Sequence, residues 1–552
     1  MANVPKKFAV KPFTSRKLMD ASEAQRTFQT LEHGIHQIYK KKESEMSFEE
    51  HYRHGYNLVL NKHGDMLYNG LSDIIRRNLK DEKESLLQTP NDELLARLAS
   101  MWSEHKVIYS VIRDVMMYVD RSYVSQHRKA PVFTMAVLIF RSEILYHVDL
   151  RERIRFLLLQ NVEVERRGGL VDRGLMKDIL SMLGDFSVDG VNVYEEDFES
   201  HFLSASRAFY THEALDFLAL NNCPEYLMKA ESRLLEESDR VRHYLSSSSE
   251  PKIRGLVESE FIGAHAKALV DMEGSGAVAL MKGDRLAELR KLYQLFSHVP
   301  TSLDCLRDAM AGYIKSHGAE IVADVENVKD PFNFVQKMID FKTKFDVIIK
   351  ESFRDDKKCY KKLKESFEDF MNKDTQCATF LAGYADNLLK SGFRGMTETG
   401  IETQLELIMA LFKFLSDKDI FESMYRSHFA KRLLNSKSVS EELERQMITK
   451  LKGECGQQYT SKMEGMFLDM QLAKEIMDSF RASAFHAPGG FELDVQTLTA
   501  SHWTMKSTPP CLMPPVVAQA CDAFQQYYSD RFKTGRRLTW LSQVGTADIK
   551  VG

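Results

Sequence analysis

The chain contains 552 residues, of which 43% are hydrophobic and 28% are charged, and its net charge is −4. This composition is typical of a globular protein with several domains of roughly 100–200 residues each. The pI of about 6.5 gives no reason to expect binding to nucleic acid or to a membrane surface through bulk charge. The longest apolar run, residues 130–140, is too short to cross a bilayer, which takes about 20 residues.

Cysteine usage and the N-terminus bear on the cellular compartment. Seven cysteines are scattered along the chain, and none of them forms a C-x-x-C pair. An odd number at wide spacing favours reduced thiols over a disulfide framework. Residues 1–13 include basic side chains but lack the apolar segment of a secretory signal. We therefore expect a cytoplasmic or nuclear protein.

In chain order, residues 1–30 carry few helix signals, and we expect a partly extended N-terminal tail. Successive amphipathic patterns with helical spacing follow from Leu31 onward. Short connections with glycine, proline or serine separate them, at Gly64, Pro90, Gly168-Gly169, Ser246–Pro251, Gly274–Gly276, Pro300 and Pro331. Helices of this kind, each burying one face on its neighbour, predict a stack of helical units.

Proline placement predicts a change of structure near residue 488. No proline lies between Phe332 and Ala487, whereas five are crowded into 488–515. Because proline breaks helices, the earlier region is expected to be almost wholly helical. Beyond it, residues 491–496 alternate between apolar and polar, which predicts a strand. A helix at 516–532 and two further strands at 537–541 and 546–551 complete the prediction.

Residues 416–472 contain three amphipathic patterns at helical spacing. In the first, Phe421, Tyr425 and Phe429 recur every four residues, and the other two carry similar apolar faces. Three such helices with short connections and facing apolar surfaces predict a helix bundle.

Four serines each stand three residues before an acidic residue, a spacing typical of helix N-termini. They are Ser47, Ser416, Ser438 and Ser461. We therefore expect a helix to begin at each of them.

The amino-acid sequence of residues 416–472 resembles that of the cullin family over nearly its whole length. It includes DIFE at 419–422, KLKGECG at 450–456 and TSKMEGMF at 460–467. A match of this length is far more specific than a short motif. Cullins are scaffolds of multisubunit ubiquitin ligases, so the resemblance implies a scaffold that serves ubiquitin-dependent protein degradation.

The resemblance also implies the fold. We expect a mainly α protein in which three stacked cullin-type helical repeats form an elongated stalk, followed by a helix bundle and the start of a small α/β subdomain. The implied segments are a tail at 1–30, cullin repeats at 31–150, 151–262 and 263–378, the bundle at 379–487 and the partial α/β subdomain at 488–552.

A second aromatic stripe lies near the start of the chain. Phe48, Tyr52 and Tyr56 follow one another at i, i+4 and i+8. On periodicity alone this stripe is the core face of a helix. The tyrosine hydroxyls and the polar neighbours Glu49 and Arg53 instead favour a face that tolerates water, as in a protein interface.

Residues 47–71 read SFEEHYRHGYNLVLNKHGDMLYNGL and resemble cullins that bind BTB-domain substrate adaptors. In that type the position of His51 is usually occupied by an apolar residue, so this sequence departs from the pattern there. The N-terminal side chains of Phe8, Val10 and Phe13 are expected to pack beside the adaptor. The residues that the resemblance places against the adaptor are Met46, Phe48, Glu49, Tyr52, Tyr56, Tyr118 and Arg121.

No arrangement of residues typical of an enzyme emerges from the sequence, and we predict neither catalysis nor a metal or cofactor. The run Gly274–Gly276 has no preceding strand and is expected to be a helix break. His51 and His54 have no further Cys or His nearby, so exposed surface residues are expected there instead of metal ligands. Cys455 has no neighbouring His and is expected to be structural.

The C-terminal end is the expected site of a RING-box subunit, which cullins bind partly by strand addition to the α/β sheet. The lysine motif to which cullins attach a ubiquitin-like modifier and the winged-helix segments have no match in this sequence. We therefore expect a C-terminally truncated cullin that binds adaptors and holds a RING subunit weakly. The alternatives are a helical-repeat tether without ligase function and a truncated cullin that captures adaptors without ligase assembly.

Overall fold

The computed structural model describes residues 19–42, 47–324, 326, 329–391, 397–483, 492–503, 512–533 and 535–546. Within these ranges the chain is almost entirely helical, which confirms the predicted mainly α fold class. None of the described helices combines the length and the apolarity that a membrane span requires. The chain divides into two compact units, with the boundary between residues 265 and 266, and each unit is described by itself.

The first unit consists of helices that mostly contact their near neighbours in sequence: α1 packs on α2, α3 and α4 both pack on α7, and α10 and α11 both pack on α12. This pattern is typical of stacked helical repeats. The helices are α1 (Ala21–Tyr39), α2 (Phe48–Leu60), α3 (Gly64–Gln88), α4 (Asn91–Val115), α5 (Met117–Val119), α6 (Ser125–His127), α7 (Val132–Phe140), α8 (Val148–Arg166), α9 (Arg173–Asp185), α10 (Ser200–Leu220), α11 (Cys223–His243) and α12 (Glu250–Val257). Turns of π-helix lie at Asp120–Val124, Arg141–Leu145, Glu195–Glu199 and Glu258–Gly263, and a 3₁₀ turn lies at Ser247–Ser249.

The second unit continues the same pattern, with α16 packed on α18, α17 on α19, α19 on α21 and α22 on α23. A π-helical turn lies at Ile348–Ser352 and a 3₁₀ turn at Ser542–Val544. The helices are α13 (Ala266–Asp271), α14 (Ala277–Lys282), α15 (Leu286–Phe296), α16 (Pro300–Ala323), α17 (Pro331–Val347), α18 (Lys357–Met371), α19 (Gln376–Ser391), α20 (Glu398–Phe412), α21 (Lys418–Leu434), α22 (Glu441–Cys455), α23 (Gln457–Arg481) and α24 (Pro515–Arg531).

Several helix boundaries follow the predicted helix breakers. Pro300 and Pro331 occupy the first turns of α16 and α17, where a proline costs no helical hydrogen bond. Gly456 separates α22 from α23 with a φ of 86°, a left-handed conformation that glycine adopts without a clash of a Cβ atom. Gly276 lies directly before α14.

Helix α1 begins earlier than the sequence suggests. The amphipathic pattern was expected from Leu31, whereas α1 starts at Ala21 and already buries Ala24 and Phe28. The reason is a cap: the Asp20 carboxylate accepts the N–H of Glu23 at 2.8 Å and that of Ser22 at 2.9 Å.

The serine caps are confirmed at one position and wrong at the next. The Ser47 hydroxyl accepts the N–H of Glu50 at 3.4 Å and caps α2. Helix α21 begins at Lys418 after Asp417, so Ser416 is not its N-cap.

The other two predicted caps are also wrong, for separate reasons. Helix α22 begins after Ser440, and Ser438 instead donates its hydroxyl proton to Glu444 Oε1 at 2.9 Å. Ser461 lies inside α23, because the break at Gly456 lets that helix begin before it. The spacing of serine and acid is therefore met in helix interiors as well as at helix starts.

The predicted strands at 491–496 and 537–541 are wrong within the described residues, where both segments are irregular and no strand is present. The prediction at 546–551 falls almost entirely outside those residues. Side chains hold the first segment in place: Val495 is buried in an apolar cluster with Phe480 and Phe524. A strand needs a neighbouring strand to pair its peptide groups, and alternation of side chains does not provide one. The predicted helix at 516–532 is present as α24.

Candidate functional site

Helix α2 contacts its own unit through a narrow inner face that combines a histidine, a glycine and a leucine. Its buried residues are His51, Gly55 and Leu58, which share one side of a helix. His51 Nδ1 donates to the Ser47 carbonyl oxygen at 2.8 Å, and only 8% of the residue is exposed. A Cβ atom on Gly34 of α1 would lie 2.0 Å from His51 Nε2, so the two helices approach closely at this glycine.

The prediction that His51 is an exposed surface residue is therefore wrong. Gly34 leaves room for the imidazole ring between α1 and α2. His54 is half-buried, with its ring centroid 6.1 Å from that of His51, and burial lowers the pKa of His54. Across the part of the chain that the structure describes, no group of three or more His, Cys, Asp or Glu side chains is arranged to hold a metal ion.

The aromatic stripe of α2 remains accessible to solvent because other residues form the inner face. Phe48 is 49% exposed, and Tyr52 and Tyr56 are half-buried. Between them, Glu49 and Arg53 are exposed and form an ion pair with 2.5 Å between Oε1 and Nη2. The core-face interpretation, which periodicity alone favoured, therefore does not apply to this stripe.

A second segment lies beside the stripe and consists of α5, the π-helical turn Asp120–Val124 and α6. Its Tyr118 ring lies 4.5 Å from the Tyr56 ring, centroid to centroid, with the planes tilted by 57°. Arg121 of the same segment is exposed. On the inner side of α2, a Cβ atom at Gly55 would lie 3.5 Å from Met116 Sδ, an ordinary van der Waals distance, so α2 also packs on the residue that precedes α5. Two predicted site residues from distant parts of the sequence are thus in contact.

Two exposed apolar residues border these aromatic side chains and were missed by the sequence analysis. Met117, next to Tyr118, is 39% exposed, and Leu60, one helical turn after Tyr56, is 41% exposed. The signal that could have identified them in the sequence is their spacing from predicted site residues. We call the group Phe48, Tyr52, Tyr56, Leu60, Met117 and Tyr118 the aromatic face. The predicted residues Met46, Phe8, Val10 and Phe13 lie outside the described residues.

The chain that precedes α1 is fixed at the C-terminal end of α2. The Met19 N–H donates to Asn61 Oδ1 at 3.1 Å, and His63 Nε2 donates to the Met19 carbonyl oxygen at 3.1 Å. Met19, where the described structure begins, therefore lies at the end of α2 that carries Leu60.

In the second unit, one carboxylate connects α23 to the irregular segment that follows it. Asp469 accepts the N–H of Thr499 at 2.8 Å, its hydroxyl at 2.7 Å and the Trp503 Nε1–H at 2.8 Å. The His502 ring occupies the space next to Gly465, where a Cβ atom would lie 2.4 Å from Nδ1. Gly465 and Asp469 belong to the EGMFLDM run, so this part of the motif holds the segment in place.

Cys455 shows no sign of nucleophilic activation. It lies at the C-terminal end of α22, and burial raises the pKa of its thiol. A thiol is reactive as its thiolate, and the raised pKa keeps the protonated form dominant at neutral pH.

Two protein-family models match this chain. Residues 28–477 match the cullin alpha solenoid domain, which covers most of the chain. Residues 497–552 match the cullin alpha+beta domain, which confirms the predicted start of a small α/β subdomain at this end.

Similar proteins carry the same family name. Cullin-3A of Arabidopsis thaliana is 40% identical over 551 residues, which cover 100% of this chain and 75% of the relative. Cullin-3 of Dictyostelium discoideum is 37% identical, with 97% of this chain and 69% of the relative covered. Cullin-3 of Caenorhabditis elegans is 31% identical, with 99% and 71% covered. The chain therefore belongs to the cullin family, the scaffolds of ubiquitin ligases, and is a cullin-3-like member of it.

Proposed function

We propose that this cullin captures a BTB-domain substrate adaptor on the aromatic face and is a scaffold, without catalytic groups of its own. One observation carries the proposal: α2 turns His51, Gly55 and Leu58 inward and leaves Phe48 and Tyr52 accessible. Monomeric proteins seldom leave a contiguous group of large apolar side chains in water without a binding partner.

The chemistry of the face fits a protein partner. Phenol rings offer a large apolar area together with a hydroxyl group, and they lose little conformational entropy on binding. The contact between Tyr56 and Tyr118 fixes both rings before a partner arrives, which lowers the entropic cost of binding. Glu49 and Arg121 are exposed at the edge and suit the polar rim of an interface.

The N-terminal tail is proposed to pack beside the adaptor. The hydrogen bonds that join Met19 to Asn61 and His63 support this, because they hold Met19 at the end of α2 that carries Leu60, a residue of the aromatic face. The tail's side chains proposed for this contact are Phe8, Val10 and Phe13.

At the other end, a RING-box subunit is the proposed second partner, in the cytoplasm or the nucleus. The match of residues 497–552 to the cullin alpha+beta domain supports this. A scaffold that holds a substrate adaptor and a ubiquitin-conjugating module on one chain raises the effective concentration of substrate near the activated ubiquitin. Failure of a purified RING-box subunit to bind this chain in a pull-down would contradict this part of the proposal.

The experiment measures binding of a purified BTB-domain adaptor to the full chain. Replacing Tyr52 by lysine is expected to weaken binding by at least about 30-fold, since hot-spot residues at interfaces contribute about 2 kcal/mol or more. Tyr56→Lys is expected to have a similar effect. Helical content by circular dichroism should not change, because both residues are half-buried on an accessible face.

The matched control is Phe156→Lys, which replaces an aromatic residue of α8 in the same unit that is 59% exposed. This variant is expected to bind the adaptor as the wild-type chain does. Full binding by Tyr52→Lys, or an equal loss in the Phe156 variant, would rule out the aromatic face as the adaptor site.

A further inference from the structure

The segment that carries Tyr118 and Arg121 is tied to α3 through Tyr123. The Tyr123 hydroxyl donates to Asp65 Oδ1. Lys129 Nζ donates to the Tyr123 hydroxyl oxygen at 2.5 Å and to Asp65 Oδ1 at 3.1 Å. We call Asp65, Tyr68, Tyr123 and Lys129 the clasp.

Aromatic contacts complete the clasp. Lys129 Nζ lies 4.8 Å from the centroid of the Tyr68 ring and 4.9 Å from that of Tyr123, distances at which a cation is attracted to an aromatic face. The Tyr68 hydroxyl donates to the Ala130 carbonyl oxygen at 2.8 Å. The chain that leaves the segment is therefore held at Lys129 and at Ala130.

The Tyr123 ring lies directly against the first turn of α3. A Cβ atom on Gly64 would be 2.4 Å from Tyr123 Cδ2, so the ring reaches this position because residue 64 is glycine. Tyr123 is only 4% exposed. The burial and the hydrogen bonds together fix this residue on α3 and leave it no part in the aromatic face.

The same segment joins the clasp to the aromatic face over a short distance along the chain. Tyr118 lies five residues before Tyr123, and the π-helical turn Asp120–Val124 connects the two. Asp120 Oδ1 accepts the N–H of Val132 at 2.8 Å, which attaches the turn to α7. A π-helical turn holds one more residue than an α-helical turn, so its position decides where the preceding side chains lie.

We propose that Tyr123 is a positioning residue for adaptor binding: the clasp sets the position of the π-helical turn and thereby places Tyr118 beside Tyr56. The inference deepens the proposed function and rests on it. Without the clasp, Tyr118 has to be ordered when the adaptor binds, and that ordering lowers affinity.

The test is a double-mutant cycle in the full chain, with a purified BTB-domain adaptor as the probe. Tyr123→Phe keeps the buried ring and removes the two hydrogen bonds of the hydroxyl. We expect the dissociation constant to rise about three- to tenfold, the range that corresponds to the cost of ordering one side chain on binding. Lys129→Met, which keeps the length of the side chain without its charge, should have a similar effect.

The cycle separates positioning from general stability. In the background of Tyr118→Ala, Tyr123→Phe should change the dissociation constant by less than about twofold, because its effect is transmitted through Tyr118. In the background of Phe48→Ala, the full effect of Tyr123→Phe should remain. Hydrogen exchange of the free chain should become faster at amides 117–124 in Tyr123→Phe and stay unchanged in α2.

Each other outcome overturns the inference. Wild-type affinity in Tyr123→Phe shows that the clasp is not needed, and an equal effect in both backgrounds shows that Tyr123 does not act through Tyr118. Unchanged exchange at 117–124 shows that the clasp does not order the segment. If the wild-type chain binds no BTB-domain adaptor, the proposed function fails and this inference fails with it, which the wild-type measurement alone reveals.

Discussion

Two aromatic stripes with the same spacing have opposite environments in this protein. On α2, Phe48 is 49% exposed and Tyr52 is half-buried. On α21, Phe421, Tyr425 and Phe429 are all 0% exposed. Periodicity describes the two helices equally well, so spacing alone does not tell a binding surface from a core. What differs is how many other helices cover each stripe.

The covering of the α21 stripe is visible in its ring contacts. Phe421 lies 4.8 Å from Phe412 at the end of α20, and Phe429 lies 5.1 Å from Phe467 of α23, centroid to centroid. Tyr425 stacks between Phe421 and Phe429 in the same helix. On α2, Tyr118 alone is in ring contact with the stripe among the described residues.

A buried ion cluster accompanies the covered stripe. Arg432 Nε and Nη2 donate to the two carboxylate oxygens of Glu444 at 2.6 and 2.8 Å, and Nη1 donates to Asp386 at 2.5 Å. The guanidinium group lies over the rings of Tyr425 and Phe429, and both Arg432 and Glu444 are buried. The exposed stripe instead has the ion pair of Glu49 with Arg53, which lies in solvent and contributes little to stability.

The largest expected effect comes from breaking this cluster. Arg432→Met leaves the Glu444 carboxylate buried without its cation, and we expect a loss of about 3–5 kcal/mol in the free energy of unfolding of the second unit. Denaturant unfolding followed by circular dichroism measures it. The matched control, Arg53→Met on the exposed stripe, should change stability by less than about 0.5 kcal/mol. Equal effects of the two variants would contradict the difference in burial.

The next largest effect tests the stripes directly. Phe421→Ala opens a cavity in the bundle and should cost about 3 kcal/mol, the lower end of the range for a buried phenylalanine. Phe48→Ala removes a ring that is 49% exposed, and we expect a loss below about 1 kcal/mol. Thermal unfolding of both variants gives the comparison. A large loss of stability in Phe48→Ala would mean that its ring is part of a core.

How much of the fold and of the aromatic face could be predicted from the sequence differs from one feature to another. Proline and glycine positions predicted many of the helix boundaries, because their backbone chemistry acts locally. The family-like run between 416 and 472 predicted the fold class. The inner face of α2 was not predictable in this way, since His51 is buried through the absence of a side chain on Gly34, far away in sequence. The prediction of a cap at Ser438 was wrong for a similar reason, because the Ser438 hydroxyl donates to Glu444 of the Arg432 ion cluster.

A third prediction concerns that inner face. Gly34→Ala places a methyl group where the His51 ring lies, and we expect a loss of about 1–3 kcal/mol from overpacking between α1 and α2. The control is Gly453→Ala inside α22, where a Cβ atom meets nothing within 4 Å. That change should stabilise the protein by about 0.5–1 kcal/mol, because alanine has the higher helix propensity. Calorimetry of the two variants shows whether α2 packs on α1 as tightly as the structure indicates.

The smallest expected effect is a pH dependence of the covered stripe. Burial raises the pKa of the Tyr425 phenol well above its ordinary value of 10.0. Below pH 10 the phenol is protonated in both the folded and the unfolded chain, so its contribution to stability is fully present. As the pH rises above that value, the unfolded phenol ionises and the folded one does not. Stability then falls by up to about 1.4 kcal/mol per pH unit from this residue.

Tyr425→Phe removes the ionisable hydroxyl, and with it this pH dependence, and keeps the buried ring. Between pH 8 and pH 9.5, below the ordinary pKa of 10.0, the difference in stability between the variant and the wild-type chain should stay constant. Above pH 10 the wild-type chain should lose stability more steeply than the variant, because it alone has this phenol to ionise on unfolding. Denaturant midpoints measured through this range give both slopes. Parallel slopes above pH 10 would mean that solvent reaches the Tyr425 hydroxyl in the folded chain, and that the second stripe is covered less completely than its ring contacts indicate.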